Sequence, residues 1–248
     1  MARVAVVALQ PADPMSDALL ELAVDVLGPL VDELVFVGGA TIHLWITEET
    51  APPIRATEDV DVICDVATYA AYTVFSERLR ETGLREAADE KVVCRWRHAA
   101  TKLIVDVMPT DENILGFTNP WYELGIETAI VRELPSGRSI RAVRPPVVLA
   151  TKLAAWRGRG QDDLLRSLDA HDIVVLINGR PELLDELTEQ SEPLRQYVSS
   201  ELEALGSDPY FGYLIQDTVT GYGPNAAPVR AELVRERITA IIAQLRTA

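Results

Sequence analysis

The sequence predicts an α/β fold: a mixed sheet flanked by helices over residues 1–145, followed by a helical domain over residues 146–248. Three observations carry this division. Short apolar runs rich in β-branched residues, around Val35, around Val60 and from Leu103 to Met108, are separated by helix-length segments in the first part. Pro145-Pro146 then punctuates the chain. Beyond it the apolar residues recur with the spacing of amphipathic helices.

Taken in order, Ser16 to Leu27 has amphipathic helical spacing, and the residues before Met15 carry no motif and read as a variable extension. Val35-Phe36-Val37 reads as a short buried strand. Gly38-Gly39 lets the backbone turn tightly and approach a bulky anion before a helix over Ala40 to Ile46. In the next strand, Asp59-Val60-Asp61, the two carboxylates project from one face, where their repulsion is costly unless a cation is shared. That arrangement asks for a divalent metal. Asp65 reads as the cap of a helix near Thr68 to Glu81, and strands follow near Val92 to Trp96 and Leu103 to Met108. Asp106 lies inside the last run, where a carboxylate is expensive to bury unless paired or metal-bound; the bland alternative is a strand-end acid capping the turn at Pro109.

After a mixed segment to Val143, helices are expected over Val147 to Arg157, Leu164 to Asn178, Pro181 to Gln190, Pro193 to Leu205 and Val229 to Leu245. Gly206 to Pro228, rich in Gly, Pro and Tyr, reads as an irregular connection. Lys152 sits among Val148, Leu149, Leu153 and Trp156, and a lysine so placed takes an anionic partner or snorkels to solvent. Arg157-Gly158-Arg159-Gly160 reads as a basic hinge, either contacting phosphate or ending a helix. Asp162 and Asp163 sit where a helix wants acidic first-turn residues, and Asp169 lies one turn from Asp172 on the same helix side; a structural role explains all three acids at 162, 163 and 169. Arg55 and Thr57 flank the acids closely enough to touch phosphate or a metal-bound water.

A glycine pair closing a strand, a helix, and a strand bearing two acids together resemble the signature of the DNA polymerase β-like nucleotidyltransferases. The blocks Phe36-Val37-Gly38-Gly39-Ala40, Arg55 to Asp61, Lys152 to Gly160 and Ser167 to Ile173 look like the AbiEii-type members, catalytic toxins of bacterial toxin–antitoxin systems and their relatives. The resemblance covers most of the first three-quarters of the chain, and Asp163 and Asp169 also fit the family spacing. It implies a nucleotidyltransferase-like core that moves a nucleoside monophosphate from a nucleoside triphosphate to a hydroxyl on RNA, such as tRNA, or on protein. It implies Mg2+ or Mn2+ held by Asp59, Asp61 and Asp106. Lys152 and Asp172, on the helical side, would complete a catalytic set with those acids. Gly38, Gly39, Arg55, Thr57 and Lys152 would bind the nucleotide, and a cognate antitoxin is an expected partner.

With 48% hydrophobic residues, the 248-residue chain can bury a sizeable core. No run has the length of a membrane span and Met1 to Pro11 lacks a secretory pattern, so a cytoplasmic protein without a membrane partner is expected. Cys64 and Cys94 lack the spacing of a zinc site or a disulfide framework. The net charge of −15 disfavours nonspecific binding to a phosphate backbone, although Lys91 to Lys102 and Arg138 to Arg159 are locally basic. The charge keeps a small-molecule acceptor as the alternative substrate, beside a catalytically silent nucleotide-binding protein.

Overall fold

The computed structural model describes residues 13–52, 54–66, 68–87, 93–159 and 163–247. Its centre is a seven-stranded mixed sheet in the order β3-β4-β5-β2-β1-β7-β6. The strands are β1 (Leu34–Val37), β2 (Asp59–Cys64), β3 (Leu84–Glu86), β4 (Arg95–His98), β5 (Ile104–Pro109), β6 (Ile130–Glu133) and β7 (Ser139–Ala142). β2 runs parallel to β5 and β1 parallel to β7, while the other neighbours are antiparallel. The α/β reading therefore holds.

The central position of β1 and β2 follows from composition. All four residues of β1 are buried, and on β2 the apolar Val60 and Val62 are sealed on one face while Asp59 and Asp61 on the other are only half-buried. Two helices flank this part of the chain, α1 (Pro14–Leu27), capped by the Asp13 carboxylate, and α2 (Tyr69–Glu81). Thr68 caps α2 by accepting from the Ala71 amide; Asp65 is exposed and does not, since it lies too far upstream of the first turn. The expected helix after the glycine pair is a 3-10 helix, Gly39–Trp45, with Ala40 through Trp45 all buried. The mixed segment resolves into α3 (Glu112–Leu115), α4 (Tyr122–Glu127) and the β6–β7 hairpin.

Pro145 opens α5 (Pro145–Arg159), and among the described residues every regular element after it is helical: α6 (Leu168–Gly179), α7 (Leu183–Thr188), α8 (Glu192–Gly206), α9 (Phe211–Thr218) and α10 (Ala227–Thr247). Two expectations are corrected. The helix expected from Leu164 is split, a 3-10 turn at Leu164–Arg166 preceding α6, because Ser167 caps α6 through the Ala170 amide. The supposedly irregular 206–228 segment contains α9, whose Phe211, Leu214 and Ile215 form a buried helical stripe, and a 3-10 turn at Thr220–Tyr222. One continuous apolar core joins sheet and helices, and α5 lies between, with Val147, Val148, Leu149, Ala150 and Leu153 fully buried. Among the described residues, no helix is long and apolar enough to cross a membrane.

Candidate active site

Residues paired in register across a sheet project from the same face. β2 and β5 pair Asp61 with Asp106, and the two-residue alternation of β2 brings Asp59 to that face. The three predicted acids therefore share one surface. β4 adds Arg95, the register partner of Asp106. Its Nε donates to Asp106 Oδ1 at 2.9 Å, and one terminal nitrogen reaches both Asp106 Oδ2 and Asp59 Oδ2 at 2.8 Å. Thr57 Oγ1 donates to the remaining oxygen, Asp59 Oδ1, at 2.9 Å.

Asp61 is held against the glycine turn. Gly38 has φ +79°, and a Cβ on it would fall 1.8 Å from Asp61 Oδ2. Glycine at 38 is thus demanded twice, by the backbone and by the acid that fills the space of its missing side chain. Gly39 makes a weaker demand. A Cβ there would stand 3.6 Å from both Asp172 Oδ2 and Thr57 Oγ1, which is ordinary contact, and marks where the two sides of the cleft meet.

The opposite bank is helical. Lys152 of α5 places Nζ 2.7 Å from Asp172 Oδ2 and 3.1 Å from Asp169 Oδ1, both on α6. Lys152 is 9% exposed, Asp169 6% and Asp172 3%. Burial alone pushes the ammonium's pKa down, but the carboxylates of Asp172, Asp169 and Asp61 outweigh it and hold Lys152 above the usual lysine range. It is a permanent cation. Arg55 reaches the same bank, 3.7 Å from Asp172 Oδ1, with about a third of its side chain exposed.

Between the banks lies a cleft of about 340 Å³ lined by Gly39, Arg55, Thr57, Arg95, Lys152, Asp59, Asp61, Asp106 and Asp169, with Ser167 and Arg166 also on its wall and Asp172 just behind Lys152. A second hollow of about 340 Å³ adjoins it. Asp61, Asp106, Lys152 and Asp169 line both, and Val37, Met108, Phe117, Tyr122 and Ala154 give the second one apolar walls. Arg166 is solvent-exposed and pairs with Asp163. Setting that neutral pair aside, the five carboxylates of Asp59, Asp61, Asp106, Asp169 and Asp172 face the three cations Arg55, Arg95 and Lys152. The cleft holds two negative charges in excess.

Oxygen donors of this kind suit a hard divalent cation, and the excess charge matches one. The guanidinium of Arg95 stands in for a cation between Asp59 and Asp106. No group of three or more acids, histidines or cysteines among the described residues is disposed to hold a metal ion. The donor set fits in chemistry and charge; the space is taken.

All nine residues expected at the site lie around this cleft, including Lys152 and Asp172 from the helical half. Asp169, expected to be structural although it fits the family spacing, pairs with Lys152 inside it. Arg95, expected only to contribute local basicity, occupies its centre. A signal for Arg95 existed in the opposite charges at 95 and 106, symmetric about the turn that joins β4 to β5. Of the two readings of the 157–160 stretch, the helix end holds: α5 runs through Arg157 and Gly158 to end at Arg159, and Arg157 pairs with Glu201 of α8. Arg138 likewise turns away to Glu21 and Asp25. Gly160, Asp162, Lys91 and the Arg159 side chain lie outside the described residues. Cys64 and Cys94 are buried free thiols; burial raises Cys94 to about 12, so it stays protonated. No protein-family model matches the chain, and no curated protein matches it.

Proposed function

We propose that this cleft transfers a nucleoside monophosphate from a nucleoside triphosphate to a hydroxyl acceptor. The observation that carries the reading is the meeting of Asp59, Asp61 and Asp106 on one sheet face, across from a buried, permanently charged Lys152 delivered by the helical half. Asp59, Asp61 and Asp106 would hold Mg2+ or Mn2+, which when bound neutralises and orients the triphosphate. Lys152 offsets charge on the phosphates and on the departing pyrophosphate, and its bonds to Asp169 and Asp172 fix where that charge sits. Asp172 thereby positions Lys152 and, through Arg55, a second phosphate-binding group. Gly39 leaves bare backbone at the floor, and Thr57 holds Asp59 in one rotamer. Asp106, beside Asp61 and lining the apolar hollow with it, would assist deprotonation of the attacking hydroxyl.

The likeness of the four sequence blocks to AbiEii-type enzymes supports an acceptor on RNA, such as tRNA, or on protein, and a role as a toxin with a cognate antitoxin. A small-molecule acceptor is the second reading. It is favoured by the net charge of −15 and by arginines that face Glu201, Glu21 and Asp25 instead of forming a basic track beside the cleft. The test is incubation with each α-labelled nucleoside triphosphate and Mg2+ or Mn2+, with total RNA and cell lysate present, following where label goes. Label on RNA or protein, lost in Asp61→Asn, supports the main reading, and label on a small molecule the second. Triphosphate binding without any transfer leaves a nucleotide-binding protein instead.

A further inference from the structure

All four carboxylate oxygens of Asp59 and Asp106 carry a hydrogen bond: three go to Arg95 and the fourth to Thr57. A divalent ion binding these acids takes the same carboxylate oxygens that Arg95 uses, and its charge repels the guanidinium. Arg95 and the ion are therefore alternatives. The arginine is not sealed in place, since its side chain is 18% exposed, that of Asp59 is 31% exposed, and both line the open cleft. A guanidinium fork that fits a carboxylate fits a phosphate equally well, and the cleft is where the proposed triphosphate lies.

We propose that Arg95 is a triphosphate-binding residue that exchanges partners, leaving Asp59 and Asp106 for the phosphates as the divalent ion takes its place. This rests on the nucleotidyl-transfer reading and adds to it a coupling. Without phosphates, admitting the ion sets it against the Arg95 guanidinium, charge to charge; without the ion, the phosphates face the acids of the sheet bank with Arg95 still drawn to them. Each ligand makes room for the other, so the nucleotide-free protein binds the ion weakly and the two bind cooperatively.

The test compares wild type with Arg95→Gln and Arg95→Lys, using Mn2+ alone, read as free ion by electron paramagnetic resonance, and inorganic tripolyphosphate at saturating Mn2+, read by calorimetry. Removing the guanidinium should tighten Mn2+ alone by about tenfold and weaken tripolyphosphate by about tenfold. Arg95→Lys, which keeps the charge but not the fork, should recover little of the tripolyphosphate affinity. Unchanged Mn2+ affinity in Arg95→Gln, or unchanged tripolyphosphate affinity, overturns the exchange. If wild type binds tripolyphosphate with Mn2+ and the variants match it, only the role of Arg95 fails; if no form binds either ligand, the nucleotidyl-transfer reading fails as well. Should Arg95→Gln not fold, phenylglyoxal modification of wild type mapped by mass spectrometry decides. Mn2+ alone should expose Arg95 to the reagent and tripolyphosphate with Mn2+ should shield it, whereas a rate indifferent to both ligands contradicts the proposal.

Discussion

The cleft has two banks built on one plan, a cation between two aspartates. On the sheet side Arg95 is held by Asp59 and Asp106; on the helical side Lys152 is held by Asp169 and Asp172. They differ in burial. The side chains of Lys152, Asp169 and Asp172 are 11%, 9% and 4% exposed; on the sheet side Asp106 is as buried at 9%, but Arg95 and Asp59 reach 18% and 31%. A buried pair keeps its charges because separating them in low dielectric is prohibitive, while a pair with one partly exposed member can trade that partner for water, an ion or a phosphate at lower cost. The helical bank is thus a fixed electrode and the sheet bank an exchangeable one. Asp61, wedged against Gly38 and close enough to raise the pKa of Lys152, links them.

The largest effect should come from that link. Asp61→Asn is nearly isosteric, so it should lower transfer of labelled nucleotide by roughly 10³-fold or more while moving the unfolding midpoint by no more than about 3 °C. Equal losses of activity and thermal stability would recast Asp61 as structural. Next in size is Lys152→Ala, which leaves two buried carboxylates without their cation and should cost about 3–5 kcal/mol in urea unfolding. A triple variant, Lys152→Met with Asp169→Asn and Asp172→Asn, should recover most of that stability while remaining inactive. A cost below about 1 kcal/mol for Lys152→Ala would mean that the helical bank is not sealed, and the contrast would collapse.

The same operation on the sheet bank should matter less. Arg95→Gln is expected to cost about 1–2 kcal/mol, and Mn2+ should restore it. A cost matching that of Lys152→Ala, with no response to Mn2+, would make the two banks equivalent. The smallest effect comes from a pair outside the cleft. The hydrogen bond from Arg230 holds the Glu48 carboxyl down at about 2 against an ordinary 4.5, despite the opposing effect of burial. A depressed carboxylate pKa stabilises the fold above 4.5, and that contribution is lost as pH falls through about 2. Glu48→Gln should therefore remove about 1 kcal/mol at neutral pH, discounted for solvent exposure, and flatten the acid limb of the stability curve. An unchanged acid limb would show that Arg230 contributes no net stabilisation there.

Much of this was legible in the sequence, for identifiable reasons. Alternation around Val60 and the apolar setting of Asp106 revealed β2 and β5, because a buried strand with acids on one face leaves a period-two trace. The β6–β7 hairpin left a weaker trace, since Ile130 and Val131 are exposed and no alternating apolar face marks β6. α9 was hidden by the composition around it, although its apolar spacing was present. Lys152 could be singled out from its apolar neighbours. Asp169 satisfied the local rule for a helix first turn and so concealed its partner seventeen residues upstream in α5. Arg95 was obscured because its meaning lies in the pairing register, which a strand run alone does not specify.

The central claim is that one cleft between a fixed and an exchangeable bank receives a triphosphate and a divalent ion together. Crystals grown with Mn2+ and a non-hydrolysable nucleoside triphosphate analogue test this most directly, through the anomalous scattering of manganese. The expected result is manganese on the carboxylates of Asp59, Asp61 and Asp106, phosphates against Lys152 and Arg95, and Lys152 still paired with Asp169 and Asp172. Bound analogue lying elsewhere, or manganese absent from these acids while Arg95 remains seated on Asp59 and Asp106, would contradict it.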